Sequence, residues 1–129
     1  MCGIVGIASE FSVTNREWVT VGRDAMSHRG PDDAGEWWSA DGRVGLSHRR
    51  LSIIETSNLG HQPMHDVNNK VSIVFNGEIY NFLELREELL SKGHIFKTKS
   101  DTEVIIVAYL EWGIECISRL NGMFAFALY

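Results

Sequence analysis

The chemistry starts at the second residue. Removal of Met1 would leave Cys2 with a free α-amine, so that one residue would hold both a thiol nucleophile and a base. A free thiol and a free α-amine ordinarily titrate near ~8.5 and ~8, and activation of a nucleophile by an N-terminal amine is an established solution. A Met-Cys start alone is weak ground, so further residues have to supply the rest. Asn76-Gly77-Glu78 follows an apolar run and has two readings. One is a hairpin turn, the usual meaning of Asn-Gly. The other is an oxyanion hole, in which the Asn76 side-chain amide and the Gly77 N–H aim at one developing negative oxygen. Arg50 suits a substrate carboxylate through its bidentate guanidinium, but also reads as a surface residue beside Arg49. Asp101 suits an ammonium, but also reads as a helix-dipole partner in a first turn.

Other groups point away from chemistry. His61 and His65 have a zinc-like spacing, but Pro63 between them disfavours the helix that would bring them together. No metal site is expected. His28, His48 and His94 read as structural hydrogen-bond partners, and Cys116 as core packing between Ile114 and Ile117. Glu84, Arg86, Glu87 and Glu88 read as a solvated helix face. One ring of Trp37-Trp38 is expected to pack inward.

The elements that must position these residues fit in 129 residues, about one domain's worth. With 12 Lys and Arg against 17 Asp and Glu, the net charge is −5, which argues against nucleic-acid or anionic-membrane partners. No stretch approaches the roughly 20 apolar residues of a membrane span, and the apolar N-terminus lacks a signal peptide's basic flank. Two cysteines so far apart in sequence make no redox or metal pair, which fits a cytoplasmic setting.

Residues 3–8 read as a short buried strand. Asn15 caps a helix running to about Ser27, with Trp18, Val21 and Ala25 at helical spacing. Asp41-Gly42 signals a hairpin between Glu36–Ser39 and Val44–Ser47. Leu51–Ile54 is expected to extend the sheet before a polar loop. Val71–Phe75 is a buried strand, and Phe82, Leu85 and Leu89 mark a helix closed at Lys92-Gly93. Ser100-Asp101-Thr102-Glu103 is a capping box for a helix with Ile105, Ala108 and Trp112 on one side. Residues 123–129 form a last strand. Hairpin-like pairs separated by helices indicate an α+β layered sandwich rather than a doubly wound sheet.

Taken together, the segments resemble the class II glutamine amidotransferases, and within them the glutaminase domain of glutamine-hydrolysing asparagine synthetases. The resemblance rests on Met1-Cys2-Gly3-Ile4-Val5-Gly6, His28-Arg29-Gly30-Pro31-Asp32, His48-Arg49-Arg50-Leu51-Ser52-Ile53, Gln62-Pro63, Asn76-Gly77-Glu78-Ile79-Tyr80-Asn81, Ser100-Asp101-Thr102-Glu103 and Gly122-Met123-Phe124-Ala125-Phe126. These run in order over essentially the whole chain. Glucosamine-phosphate synthases and purine-pathway amidotransferases tend to carry Arg-Gly-Tyr/Gln-Asp-Ser in place of Arg29-Gly30-Pro31-Asp32-Asp33.

The resemblance implies an N-terminal-nucleophile hydrolase fold, a four-layer αββα sandwich of antiparallel sheets. It implies that Cys2 attacks the glutamine side-chain amide while its α-amine handles protons, and that Asn76 and Gly77 stabilise the oxyanion. Arg50 would hold the α-carboxylate, Asp101 with Glu78 the α-ammonium, and backbone groups of Leu51 and Ile53 would line the pocket. The ammonia would serve a synthetase domain or subunit that amidates aspartate using ATP and magnesium. The pyrophosphate-binding Ser-Gly-Gly-x-Asp-Ser loop of that domain is not in this sequence, so no cofactor is expected in the chain itself. The family's glutaminase domain continues for several more strands, so residues 1–129 are expected to be its N-terminal portion, truncated at the C-terminus. Pairing with another chain, possible as a homo-oligomer, would then cover the open sheet edge. Two rival readings are another acceptor, such as a surface-polysaccharide sugar, and a non-catalytic fragment that binds glutamine or a partner.

Overall fold

The structure, a computed structural model, describes residues 2–129. In chain order it comprises β1 (Gly3–Ala8), α1 (Glu17–Ala25), β2 (Asp33–Trp38), β3 (Val44–Arg50), β4 (Met64–His65), β5 (Ser72–Ile79), α2 (Phe82–Ser91), α3 (Asp101–Trp112) and β6 (Gly122–Leu128). Short 3-10 segments occupy Asn58–Gly60 and Gly113–Arg119. The strands make two antiparallel sheets, ordered β1-β3-β2 and β4-β5-β6.

Strand alternation decides which residues meet between the sheets. On the first sheet, Val5, Glu36 and Arg49 face α1: Val5 lies under Gly22, Glu36 accepts from Thr20, and Arg49 approaches Asp24 at 3.8 Å. The alternate residues Leu46, His48 and Arg50 therefore face the second sheet. On that sheet Ile73, Phe75 and Ile79 join Leu85, Leu89 and Ile105 in the main core under α2 and α3. Ser72, Val74, Asn76 and Glu78 accordingly face the first sheet. The layers run α1, sheet, sheet, α2 with α3, as the αββα reading expects. Trp37 is the inward ring of its pair, 5.5 Å from Tyr129, whereas Trp38 lies under the Arg16 guanidinium on the outside.

Several local expectations are corrected. Helix α1 buries Val19 completely and leaves Trp18, Val21 and Ala25 exposed. Asn15 does act at its start, accepting from the Glu17 N–H at 3.1 Å. Leu51–Ile54 leaves the sheet: β3 stops at Arg50 and the chain enters a loop, with the Ser52 N–H held by Asp32 at 2.7 Å. The capping box at α3 is half formed. Ser100 Oγ accepts from the Thr102 N–H at 3.0 Å, but Glu103 binds the N–H groups of Lys97 and Thr98 instead of reaching back to Ser100. Residues 101–108 of α3 are buried on all sides, and within them Val104–Ala108 is apolar all round rather than along one stripe. Arg86 is not simply solvated, because its guanidinium stacks over the Phe96 ring at 4.2 Å.

Candidate active site

Cys2 enters the site from the edge of the first sheet. The β1–β3 register pairs Gly3 with Arg49; continued by one residue, it sets Cys2 beside Arg50 on the face turned to the second sheet. Arg29, in the turn after α1, donates from Nε to the Cys2 carbonyl at 3.1 Å. That turn lies so close to β3 that a Cβ on Gly30 would stand 2.4 Å from the Arg49 backbone. The Cys2 Sγ accepts from the Leu51 N–H at 3.4 Å and lies 3.7 Å from the Leu51 carbonyl. Leu51 can therefore hold the sulfur only because the strand breaks there.

Arg50 is buried and its guanidinium is braced by loop carbonyls. Nη1 donates to Ser57 O at 3.0 Å, and Nη2 donates to Glu55 O. Glu55 fixes that loop in turn, accepting from the Ser57 hydroxyl at 2.6 Å and from the Lys99 N–H at 3.3 Å. These hydrogen bonds hold the Glu55 carboxyl below its ordinary range, the Ser57 hydroxyl contributing most.

The opposite wall is the free edge of β5. Ser72 and Tyr129 exchange both backbone hydrogen bonds, and Tyr80 N–H donates to Asn121 O, so even-numbered β5 residues bond to β6. Phe75, Gly77 and Ile79 turn their N–H groups to the other edge, where β4 reaches only as far as Ile73. Side chains occupy the vacant places on either side of Gly77. Gln62 Oε1 accepts from the Phe75 N–H at 2.7 Å, and Asp101 Oδ2 accepts from the Ile79 N–H at 3.1 Å. Between them the Gly77 N–H faces the cavity, with the Asn76 side chain on the face turned to Cys2. Asn-Gly is thus mid-strand and not a hairpin turn. A Cβ on Gly77, at φ +155°, would stand 2.2 Å from Met123 O on β6, so glycine is what the strand spacing admits.

All eight residues singled out from the sequence line one cavity of about 530 Å³: Cys2, Arg50, Leu51, Ile53, Asn76, Gly77, Glu78 and Asp101. Burial pushes the Asp101 carboxyl above its ordinary range; the Ile79, Thr102 and Asp101 N–H groups oppose this, and the nearby Glu78 charge adds to it. A cation arriving there would relieve both effects.

Sequence reasoning assigned no role to Arg29 or Gln62, and to His48 only that of a structural partner. Gln62 Nε2 also donates to Thr102 Oγ1 at 3.3 Å, joining the β5 edge to α3. His48 Nε2 meets Phe75 O at 3.1 Å. A carbonyl only accepts, so Nε2 carries the proton, while Nδ1 is buried without a partner among the described residues. Burial pushes the His48 pKa down to about 4, against the opposing hydrogen bond to Phe75, so the ring is neutral. The available signal was the alternation Leu46, His48, Arg50, which puts His48 on the active-site face. Among the described residues no helix is long and apolar enough to cross a membrane.

A family model described as a glutamine amidotransferase domain matches residues 1–129. The asparagine synthetase [glutamine-hydrolyzing] 1 of Bacillus subtilis is 43% identical over 133 residues, which cover 100% of this chain and 21% of that protein. A putative asparagine synthetase [glutamine-hydrolyzing] of Mycobacterium tuberculosis is 46% identical over 112 residues, covering 81% of this chain and 17% of that protein. The chain thus spans about a fifth of the length of these curated relatives. Among solved structures, the glutamine phosphoribosylpyrophosphate amidotransferase of B. subtilis superposes with a TM-score of 0.82 at 22% identity, over 100% of this chain and 35% of that one. That likeness shows the fold, and the family model matching from end to end shows more: this chain belongs to the glutamine amidotransferase domain family.

Proposed function

We propose that this chain hydrolyses glutamine to glutamate and ammonia, with Cys2 as the nucleophile once Met1 is removed. The observation that carries the reading is the meeting of a thiol, two oxyanion donors, a braced guanidinium and a buried carboxylate in one cavity. Cys2 Sγ attacks the side-chain amide carbon, and its proton passes by way of the Cys2 α-amine to the departing nitrogen, which leaves as ammonia. Water then attacks the thioester, giving glutamate and restoring the thiol. In both steps the carbonyl oxygen becomes negative, and Asn76 Nδ2–H and Gly77 N–H are the donors for it. Arg50 takes the α-carboxylate, and Asp101 with Glu78 takes the α-ammonium. Leu51 N–H donates to Sγ and holds it in place, while the loop carrying Ile53 walls the pocket.

The names of the relatives support asparagine synthesis as the use of the ammonia. On this reading a synthetase domain or subunit, with its ATP and magnesium, amidates aspartate, in the cytoplasm. Self-association through the β6 edge is a further part of the proposal, and sedimentation at rising concentration tests it. The site itself is tested by intact mass before and after treatment with a diazo-ketone analogue of glutamine. One adduct on Cys2 of a chain lacking Met1, absent in Cys2→Ala, is the expected result. Retained Met1, or labelling no faster at Cys2 than at Cys116, would overturn the glutaminase reading.

A further inference from the structure

His48 is a buried titratable side chain at the seam between the sheets to which the glutaminase mechanism gives no task. It sits on the active-site face of β3, two residues before Arg50, and reaches across to the Phe75 carbonyl on β5. In an ordinary sheet that carbonyl would be held by the next strand. Here β4 has ended, and Phe75 is held by side chains, His48 on its C=O and Gln62 on its N–H. Gln62 is anchored to Thr102 on α3, within the same half of the molecule as β5. His48 comes from the half that carries Cys2.

We infer that His48 is a positioning residue for the oxyanion site: its Nε2–H fixes the β5 edge against the Cys2-bearing sheet and so sets the aim of the Gly77 N–H. Phe75 C=O and Gly77 N–H lie on the same strand edge, two residues apart, and Cys2 is tied to β3 by the strand register. Cys2, His48, Phe75 and Gly77 are therefore joined in series by short links: strand register, one hydrogen bond and two residues of chain. A donor two residues along the strand follows any shift of its anchor. Displacing a catalytic group by about 1 Å can cost about 10²-fold in rate. The inference rests on the glutaminase reading, and its test separates the two.

Glutamine and asparagine side chains distinguish reach from bulk. The amide nitrogen of Gln extends about as far as Nε2 of histidine, that of Asn only as far as Nδ1. His48→Gln and His48→Asn are compared with wild type by glutaminase kcat and KM, and by the amide resonance of Gly77 in ¹⁵N-labelled protein. H48Q is expected within about threefold of the wild-type kcat, with Gly77 unmoved. H48N is expected to lose about 10²-fold in kcat at a KM for glutamine within about threefold of wild type, with a displaced Gly77 resonance. Equal behaviour of the two variants, or an H48N kcat close to wild type, would overturn the inference. Should H48N not fold, an H48Q kcat more than tenfold below wild type overturns it equally. A wild-type chain inert toward glutamine would instead overturn the glutaminase reading. The tether is then judged on Gly77 alone, and equal displacement in H48Q and H48N overturns it.

Discussion

Burial holds the Asp101 carboxyl above its ordinary range, with the Glu78 charge reinforcing the effect, and the sign of the consequence for folding can be worked out. A carboxyl whose pKa is higher folded than unfolded makes the folded state bind more protons, so stability falls as pH rises through that window. Wherever the group is ionised, its charge is therefore a cost to the empty protein. Asn in its place keeps an oxygen for the Ile79 N–H, which Asp101 now accepts at 3.1 Å, and removes the charge. Asp101→Asn is expected to raise the melting temperature of the ligand-free chain while raising the KM for glutamine about 10- to 10²-fold. That range reflects a charge-assisted bond of about 1.5–3 kcal/mol lost from the ammonium. A thermal melt and a glutaminase assay check it together; a lower melting temperature with unchanged KM would make Asp101 a helix-start residue only. For the same reason the wild-type KM should rise as pH falls through the Asp101 titration, and this rise should be missing in D101N.

At the scale of elements, the sequence is readable where one periodicity has one meaning, and α1 shows where it has two. Its apolar residues Trp18, Val19 and Val21 mark out more than one helical face. Spacing alone selects Trp18, Val21 and Ala25, while the structure buries Val19 at 0% exposure and leaves Val21 at 60%. Val5 lying against Gly22, and Met26 at the end of α1 lying against Gly3, turn the Val19, Gly22 and Met26 face of the helix onto β1, and no property of the helix by itself reveals it. Val19→Ala is expected to cost about 2 kcal/mol, and Val21→Ala less than about 0.5 kcal/mol; urea unfolding of both variants measures the difference. The site was legible for a different reason. Its groups are chemically unusual residues in short runs, so the thiol, the Asn-Gly pair, Arg50 and Asp101 could each be singled out with a chemical role. The hairpin-turn reading of Asn76-Gly77 could not be dismissed without the pairing of β5 with β6, a long-range fact. The supports were harder still, because Gln62 and His48 act by standing in for a strand that is not there. A missing neighbour leaves no local mark in the sequence.

At the scale of the whole molecule, the cavity lies on the seam between two halves, each with its own helical layer. Cys2 and Arg50 belong to the first half, and Asn76, Gly77 and Asp101 to the second. Glutamine bound as proposed would touch both halves at once, its carboxylate on one and its ammonium and amide on the other. Such a ligand stabilises the fold by its affinity and also joins the sheets. Cys2→Ala removes turnover, so binding can be read without consuming ligand. With glutamine at about 100 times its Kd, the C2A chain should gain about 2.7 kcal/mol. For a domain of this size that is a rise in melting temperature on the order of 10 °C. Because the ligand must grip both halves, adding either Arg50→Ala or Asp101→Asn to C2A should abolish most of the shift at the same glutamine concentration, whichever half is altered. The comparison is made between melts of each double variant with and without glutamine, so the variants' own stability changes drop out. A shift that survived loss of Arg50 but not of Asp101, or the reverse, would place the ligand on one sheet only. The Cys2 thiol and the oxyanion donors proposed for it would then have to be brought together by something other than glutamine.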